Sequence, residues 1–228
     1  KYEQKIFDFF DHHTIISPQD KQHILHPNRN RILCVPNGID NSFFSETVHK
    51  ATYDFVFVGN MSYPPNVEAV QYIAKHILPH IPNTTLLISG ATPSIPVKKL
   101  AQENPRITLT GWVDDIKNSY RDGKIFLAPM TIGTGMQNKL LEAMALGVPC
   151  ITTPLANEPL GTKHGIHTLV AETPQEMISE TKKLLADELL RNELTARAKR
   201  YVEEKYTWNH TTQILIETFH QKNVYSSN

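Results

Sequence analysis

The sequence predicts an α/β protein with a Rossmann-like, doubly wound parallel sheet. Short apolar runs rich in β-branched residues alternate along the chain with segments of helical periodicity, which is the order of strand–helix–strand units. These runs are apolar throughout, as expected for strands that helices cover on both faces. The six predicted strands are DFVFV at 54–58, TLLIS at 85–89, RITLT at 106–110, KIFLA at 124–128, PCITT at 149–153 and HTLVA at 167–171.

The two ends of the chain differ from this main pattern. The first 30 residues predict a helix, the strand HTIIS and a second helix, and we interpret them as the edge of a neighbouring unit. Residues 31–48, which contain the turn NGID, are predicted to be a linker. The amphipathic segment 207–221 predicts a final helix that crosses back to the neighbouring unit, and 222–228 a tail. The chain starts within a helical pattern without methionine, so we expect it to be part of a longer protein.

The main domain is predicted to cover residues 49–206. Asn66 is expected to begin the helix NVEAVQYIAKHIL, and Asp114 is expected to cap the short helix DIKNSY. Two long, charged helices are predicted over residues 174–205. Together, the helices between the strands are expected to cover both faces of the sheet.

The composition excludes some classes of function. Of the 228 residues, 40% are hydrophobic, and Lys+Arg and Asp+Glu both number 23, so the formal charge is zero. Because the chain has no long basic run, we do not expect nucleic acid as a partner. Cys34 and Cys150 lie in apolar runs and are expected to be buried free thiols, which favours a cytoplasmic location. No apolar run approaches the roughly 20 residues that span a bilayer.

Three loops follow predicted strands at the edge where open parallel sheets bind ligands. GNMSYPPN follows strand 54–58, GWVDD follows strand 106–110, and TIGTGMQNK follows strand 124–128. In the third loop, Gly133 and Gly135 permit positive φ, and the first N–H groups of the next helix point toward the loop. This arrangement predicts a site for an anion such as phosphate.

Lys139 and Glu142 follow the third loop and are expected to share one helix face. A lysine can neutralise a diphosphate, and a carboxylate can accept two hydrogen bonds from ribose hydroxyls. The alternative is a plain surface ion pair between the two side chains. The neighbouring glycines favour the ligand-binding interpretation.

Other chemistries have weaker signals. The sequence has no Asp-x-Asp pair, the arrangement expected if a divalent ion bridged a diphosphate. His164 and His167 form a lone H-x-x-H in a polar loop, where a solvated pair is expected in preference to a metal site. The first main-domain strand has no G-x-G-x-x-G after it, which disfavours a dinucleotide-dependent oxidoreductase.

Three motifs of the chain occur together in one known family. They are NGID at 37–40, GW at 111–112 and KLLEAMALGVPCITT at 139–153. With these motifs, residues 30–221 resemble the C-terminal, nucleotide-sugar-binding half of a retaining GT-B glycosyltransferase of group 1 (family 4). The resemblance implies that the residues before it end the N-terminal acceptor domain.

The resemblance also implies roles for individual residues. Glu142 matches the glutamate that binds the donor ribose, Val113 would lie against the base, and the amides of 134–136 would hold donor sugar hydroxyls or phosphates. Lys139 and Glu142 are the predicted catalytic residues. The predicted donor-binding residues are Gly59, Asn60, Ser62, Trp112, Val113, Gly133, Thr134, Gly135, Met136, Leu140 and Glu142.

Two positions depart from the family pattern. Thr134 stands where the first glutamate of the family's pair is expected, eight positions before Glu142. The first loop offers Asn60 and Ser62 in place of the usual arginine and lysine clamp for the diphosphate. Lys139 is therefore expected to supply the positive charge, and no metal or other cofactor is expected.

The resulting expectation is an enzyme that moves a sugar with retention from a nucleoside-diphosphate sugar to a glycan or lipid-linked acceptor. This chain would supply the donor-binding half and be inactive alone, and the full-length protein would associate peripherally with the inner face of the membrane. Two alternatives remain open: a nucleotide-sugar 2-epimerase, and a non-catalytic nucleotide-binding or scaffold domain.

Overall fold

The computed structural model describes residues 2–45, 49–133 and 135–220. Within these ranges the strands are β1 (Thr14–Ile15), β2 (Leu33–Cys34), β3 (Tyr53–Val58), β4 (Leu86–Ser89), β5 (Ile107–Leu109), β6 (Gly123–Ala128), β7 (Cys150–Thr152) and β8 (Leu169–Val170). The α-helices are α1 (Tyr2–Ile6), α2 (Pro18–Gln22), α3 (Pro64–Tyr72), α4 (Ile95–Glu103), α5 (Ile116–Arg121), α6 (Asn138–Ala145), α7 (Pro154–Asn157), α8 (Pro174–Ala186), α9 (Glu188–Lys205) and α10 (Trp208–His220).

Six of these strands form one parallel sheet in the order β5-β4-β3-β6-β7-β8. Each coincides with one of the six apolar runs, so the predicted fold class is confirmed. Numbered within the sheet, the order is 3-2-1-4-5-6, that of a doubly wound Rossmann-like fold. Strands are therefore added toward one side of the sheet from β3 to β5 and toward the other side from β6 to β8, so the order reverses between β3 and β6.

The core explains why the central strand β3 has consecutive apolar residues. Phe55, Val56 and Phe57 follow one another along β3, and all three are 0% exposed. Because successive strand residues point to opposite faces, their joint burial shows that both faces of β3 are covered. Phe126 on β6 stacks at 6.1 Å from Phe57, which joins the two central strands through their side chains.

Two predicted helix starts are wrong by one or two residues. Helix α3 begins at Pro64, and Asn66 lies buried inside its first turn instead of capping it. The cap of α5 is Asp115, whose carboxylate accepts the Lys117 N–H at 3.1 Å, and not Asp114. Both errors arise because a proline or a second aspartate beside the predicted residue satisfies the helix terminus equally well.

The predicted linker contacts the start of the last helix. Ile39 N–H donates to the Tyr206 carbonyl at 2.6 Å, and Gly38 packs so closely on Trp208 that an added Cβ would lie 2.6 Å from its Cα. At the other end of α10, the Phe219 ring meets His12 edge-on. The last helix thus runs from the linker to the N-terminal segment, and the domain roles predicted for these segments remain predictions. Part of the linker, 46–48, and the tail lie outside the described residues.

No helix in the described part of the chain is long and apolar enough to cross a membrane.

Candidate functional site

The candidate site lies at the carboxyl ends of β3 and β6, where the strand order reverses. In open α/β sheets, this reversal leaves a crevice between the loops that follow the two central strands. Here those loops are residues 59–63 after β3 and residues 129–137 after β6. The sequence-predicted first and third loops therefore lie side by side, as the topology requires.

Glycines allow the first loop to pack tightly against its neighbours. A Cβ on Gly59 would lie 2.5 Å from the Asn66 amide nitrogen, so only glycine fits there without displacing Asn66. On the next strand, Gly90 adopts φ +138°, and a Cβ there would overlap the Gly59 carbonyl oxygen. Two glycines from adjacent strand ends therefore fix the path of this loop.

Asn60 and Ser62 organise the loop from within. The Asn60 side-chain oxygen accepts the Ser62 N–H at 2.9 Å and the Ser62 hydroxyl at 2.8 Å. This is a local turn in which an asparagine side chain replaces a backbone acceptor. In this structure both side chains hold the shape of the loop, which leaves the role of Asn60 and Ser62 in donor binding a prediction.

Lys139 joins the third loop's helix to the first loop. Its ammonium group donates a hydrogen bond to the Asn66 side-chain oxygen, and it lies 5.0 Å from the centre of the Phe57 ring. The Asn66 amide nitrogen in turn donates to the Asn60 carbonyl at 2.9 Å. Burial lowers the pKa of Lys139 to about 8, although the negative charge of Glu142 opposes this effect. A positive charge therefore lies between the two loops at neutral pH.

Glu142 has a different partner from the one that its spacing suggested. The hydroxyl of Tyr120 on α5 donates to Glu142 Oε2 at 2.6 Å. Lys139 and Glu142 form no ion pair with each other among the described residues, so the alternative of a plain surface ion pair is not what the structure shows. Each side chain is half-buried and anchored separately, Lys139 to α3 and Glu142 to α5.

The third loop has the backbone conformation that the sequence predicted. Gly133 and Gly135 adopt φ +114° and +78°. Gln137, the residue before α6, makes no side-chain cap bond to the first N–H groups of this helix. An uncapped N-terminus favours an anion in front of it. Thr134 lies outside the described residues.

Two predicted donor-binding residues, Met136 near the end of this loop and Leu140 in α6, pack toward the core. Met136 is half-buried and packs against the hydrophobic core. Leu140 is 0% exposed, and its N–H donates to the Gln137 carbonyl. Leu140 is thus a core residue of α6, as its apolar side chain on the inner helix face requires, and its role in donor binding stays a prediction.

The second loop lies beside the first and is held by buried hydroxyls. Gly90 N–H donates to the Gly111 carbonyl at 3.0 Å, and Ser89 bonds to Ser119 and Thr110 at 2.7 and 2.9 Å. Trp112 is 71% exposed. Val113 borders a cavity of about 370 Å³ that also includes Thr110 and Ser119. The segment predicted to face the base thus lies on the same edge of the sheet as the other two loops.

A larger open cavity of about 550 Å³ lies at the opposite edge of the sheet. It is lined by residues at the amino ends of β6 and β7 and on α9, including Lys124, Pro149 and Arg191. Because ligands of doubly wound sheets bind beyond the carboxyl ends of the strands, we do not assign the candidate site to this cavity.

The histidines of the H-x-x-H segment support their own loop. Val170 N–H donates to His164 Nδ1 at 2.9 Å, and Lys163 N–H donates to His167 Nδ1 at 3.1 Å. The Nδ1 atom of each histidine is therefore used as an acceptor within the loop. The described residues contain no group of three or more His, Cys, Asp or Glu side chains arranged to hold a metal ion.

Residues 52–187 match the family model of glycosyl transferases group 1. The chain belongs to this family. The match covers the whole six-stranded sheet and all three loops, and the architecture is that of the C-terminal Rossmann-like domain of GT-B glycosyltransferases.

Curated relatives are similar over part of their length. The chain is 32% identical over 82 residues to glycosyltransferase 1 domain-containing protein 1 of Xenopus tropicalis, covering 36% of this chain and 24% of the relative. It is 27% identical over 144 residues to the UDP-Gal:alpha-D-GlcNAc-diphosphoundecaprenol alpha-1,3-galactosyltransferase of Escherichia coli, covering 54% and 36%. These similar regions thus span about a quarter to a third of each relative.

A solved structure shares the fold. The Anabaena HepE protein in complex with UDP and glucose superposes with a TM-score of 0.80 at 15% identity, over 96% of this chain and 65% of HepE. At this identity the likeness establishes the architecture alone.

The sequence alone does not reveal two residues that organise this candidate site. Asn66 was interpreted as a helix start, and Tyr120 was not singled out at all. A tyrosine on the inner face of α5 needs a partner for its hydroxyl, which is a sequence signal. Its pairing with Glu142, 22 positions later, becomes evident only when the sheet brings α5 and α6 together.

Proposed function

We propose that this chain is the donor-binding half of a retaining glycosyltransferase, which moves a sugar from a nucleoside-diphosphate sugar to a glycan or lipid-linked acceptor. The observation that carries the proposal is the position of Lys139 between the first and third loops, with Glu142 one helical turn away. One cation and one carboxylate at the switch point match the two charged requirements of such a donor, a diphosphate and a ribose diol.

In the proposed reaction, the bond between the sugar and the diphosphate breaks and negative charge accumulates on the departing diphosphate. Lys139 stabilises this charge, together with the N–H groups of the first turn of α6, which the Gln137 side chain does not cap. Lys139 is protonated at neutral pH because its pKa is about 8. Glu142 accepts hydrogen bonds from the ribose hydroxyls and so fixes the position of the nucleotide.

The acceptor is proposed to bind to a part of the protein outside this chain. The similar region spans 24% and 36% of the two curated relatives, so more than half of each relative lies beyond it. In this proposal the full-length protein carries the acceptor site, contacts the membrane surface peripherally when the acceptor is lipid-linked, and is required for turnover. The chain alone binds the donor without transferring sugar.

We propose a UDP-sugar as the donor, because the relative from E. coli is named for UDP-Gal and HepE was solved with UDP. A thermal-shift panel of UDP, GDP, ADP and TDP tests this choice. A ligand that binds the folded state raises the melting temperature in proportion to the logarithm of its concentration over its dissociation constant. UDP should give the largest shift, and no shift with any of the four would refute a nucleotide site.

The site is proposed to work without a metal ion, with Lys139 as the counter-charge of the diphosphate. UDP affinity should therefore be the same with EDTA as with Mg²⁺. Loss of binding in EDTA would show that a cation carries the diphosphate and that Lys139 does not replace it.

With the full-length protein, the anomeric configuration of the product tests retention. A glycoside with the donor's configuration supports the proposal, and an inverted product refutes it. Release of a free epimerised sugar would instead support the epimerase. Lys139→Met and Glu142→Gln should each abolish transfer while leaving the protein folded, whereas a scaffold domain would keep its function.

A further inference from the structure

Tyr120 is an unusual neighbour for a ligand-binding carboxylate. Its side chain is 0% exposed, and its ring packs 5.3 Å from that of Phe126 in the core of the sheet. Its hydroxyl donates to Glu142 Oε2 at 2.6 Å. Burial, and then the negative charge of Glu142, raise the pKa of Tyr120 well above its usual value, so the hydroxyl keeps its proton and remains a donor.

The two oxygens of Glu142 consequently differ. Oε2 accepts the Tyr120 hydroxyl, whereas Oε1 has no hydrogen-bond partner among the described residues. Glu142 as a whole is half-buried, so its side chain is partly exposed to solvent. A glutamate carboxylate otherwise rotates over a broad range about its last side-chain bond. The buried tyrosine therefore restricts this rotation through Oε2 and leaves Oε1 without a hydrogen-bond partner among the described residues.

We propose that Tyr120 is a positioning residue, which orients Glu142 so that Oε1 receives a ribose hydroxyl of the donor. This inference rests on the proposed function, because it takes Glu142 as the ribose acceptor. Tyr120 itself does not touch the ligand, since its ring and hydroxyl are enclosed by the core and by Glu142. Its contribution is to remove the rotational freedom that ribose binding would otherwise have to restrict.

The substitution Tyr120→Phe tests this role, because it removes only the hydroxyl and keeps the buried ring. The matched control is Tyr206→Phe. Tyr206 is also buried, at 7% exposure, and its hydroxyl donates at 2.8 Å to the Leu160 carbonyl, away from Glu142. Both variants lose one buried hydroxyl hydrogen bond, and only one of them loses contact with the predicted ribose acceptor.

The readout is the ratio of two dissociation constants measured by calorimetry, for UDP and for 2′,3′-dideoxy-UDP, which lacks both ribose hydroxyls. The native chain should bind UDP about tenfold or more tightly than the dideoxy compound, since hydrogen bonds to a charged group are strong. In Tyr120→Phe the ratio should fall to within about threefold, with most of the loss in UDP binding. In Tyr206→Phe the ratio should equal that of the native chain.

Failure of this inference can be told apart from failure of the proposed function. If the native chain prefers UDP over the dideoxy compound and Tyr120→Phe keeps the full preference, Tyr120 does not position Glu142, while the donor site stands. If the native chain binds UDP without any preference for the ribose hydroxyls, both the positioning role and the assignment of Glu142 are wrong. A general loss of affinity, equal for both nucleotides in Tyr120→Phe, would show a merely structural role.

Discussion

Replacing Lys139 by methionine is expected to change how the stability of the protein depends on pH. Burial lowers the pKa of this lysine from its ordinary value of 10.5 to about 8 in the folded protein. Between these two values the unfolded chain holds a proton that the folded protein has lost. The free energy of unfolding therefore rises with pH across this window, because the unfolded state binds more protons.

The size of the effect follows from the two pKa values. Linkage between them makes the folded protein about 2 kcal/mol more stable at about pH 9.5 than at about pH 7 through this one residue. Lys139→Met removes that pH-dependent contribution. It also leaves the Asn66 side-chain oxygen without its donor, which costs about 1–3 kcal/mol at every pH. The free energy of unfolding of the variant should thus depend less on pH, and the lost Asn66 bond should lower it by a further amount that does not depend on pH.

Urea denaturation at a series of pH values, followed by circular dichroism, measures both profiles. The control is Lys75→Met, in which an exposed lysine on the segment after α3 is replaced by the same residue. Its profile should run parallel to that of the native chain. If the Lys139→Met profile also ran parallel, the ammonium group would not be buried between the loops, and the reasoning on the site's charge would be wrong.

Three further predictions concern the same loops. Gly90→Ala should lower the free energy of unfolding by about 3 kcal/mol or more in thermal unfolding, because the added Cβ would overlap the Gly59 carbonyl oxygen. The control Gly165→Ala also has positive φ but open space around it, so its loss of stability should be clearly smaller, and equal losses would refute the close approach. A bound diphosphate should raise the pKa of Lys139, so UDP binding at about pH 8.5 should take up protons. Proton uptake makes the measured binding enthalpy depend on the buffer, and an enthalpy that is the same in all buffers would place the phosphates elsewhere. Asn66→Ala removes the hydrogen bonds from Lys139 to Asn66 and from Asn66 to the Asn60 carbonyl, so UDP affinity should fall by about tenfold while the helix content in circular dichroism stays the same. Unchanged affinity would show that these two hydrogen bonds do not shape the site.

The sheet was predictable from sequence because its strands are buried on both faces. In β3 and β6, every residue of the central run is apolar, and in a chain whose apolar runs alternate with helices this pattern is typical of central parallel strands. The exact helix starts were less predictable. Adjacent residues such as Asp114 and Asp115 are equally good caps, and only the orientation of the chain leaving the second loop selects Asp115.

The candidate site was predictable as a set of loops and not as a set of contacts. Gly133 and Gly135 signal their positive φ directly, since other residues rarely adopt it. Partners distant in sequence have no such signal: Lys139 bonds to Asn66, 73 positions away, through the reversal of strand order between β3 and β6. Leu140 was assigned to the ligand by its place in a motif, although its side chain faces the core.

Calorimetry with UDP tests the central claim, that the crevice between the first and third loops binds a nucleoside diphosphate. The native chain should bind UDP with one site per chain in EDTA. Glu142→Gln and Lys139→Met should each weaken binding by about tenfold or more, whereas Lys75→Met should not change it. Absence of any binding by the native chain at about 1 mM UDP, or equal affinity in all four proteins, would contradict the account.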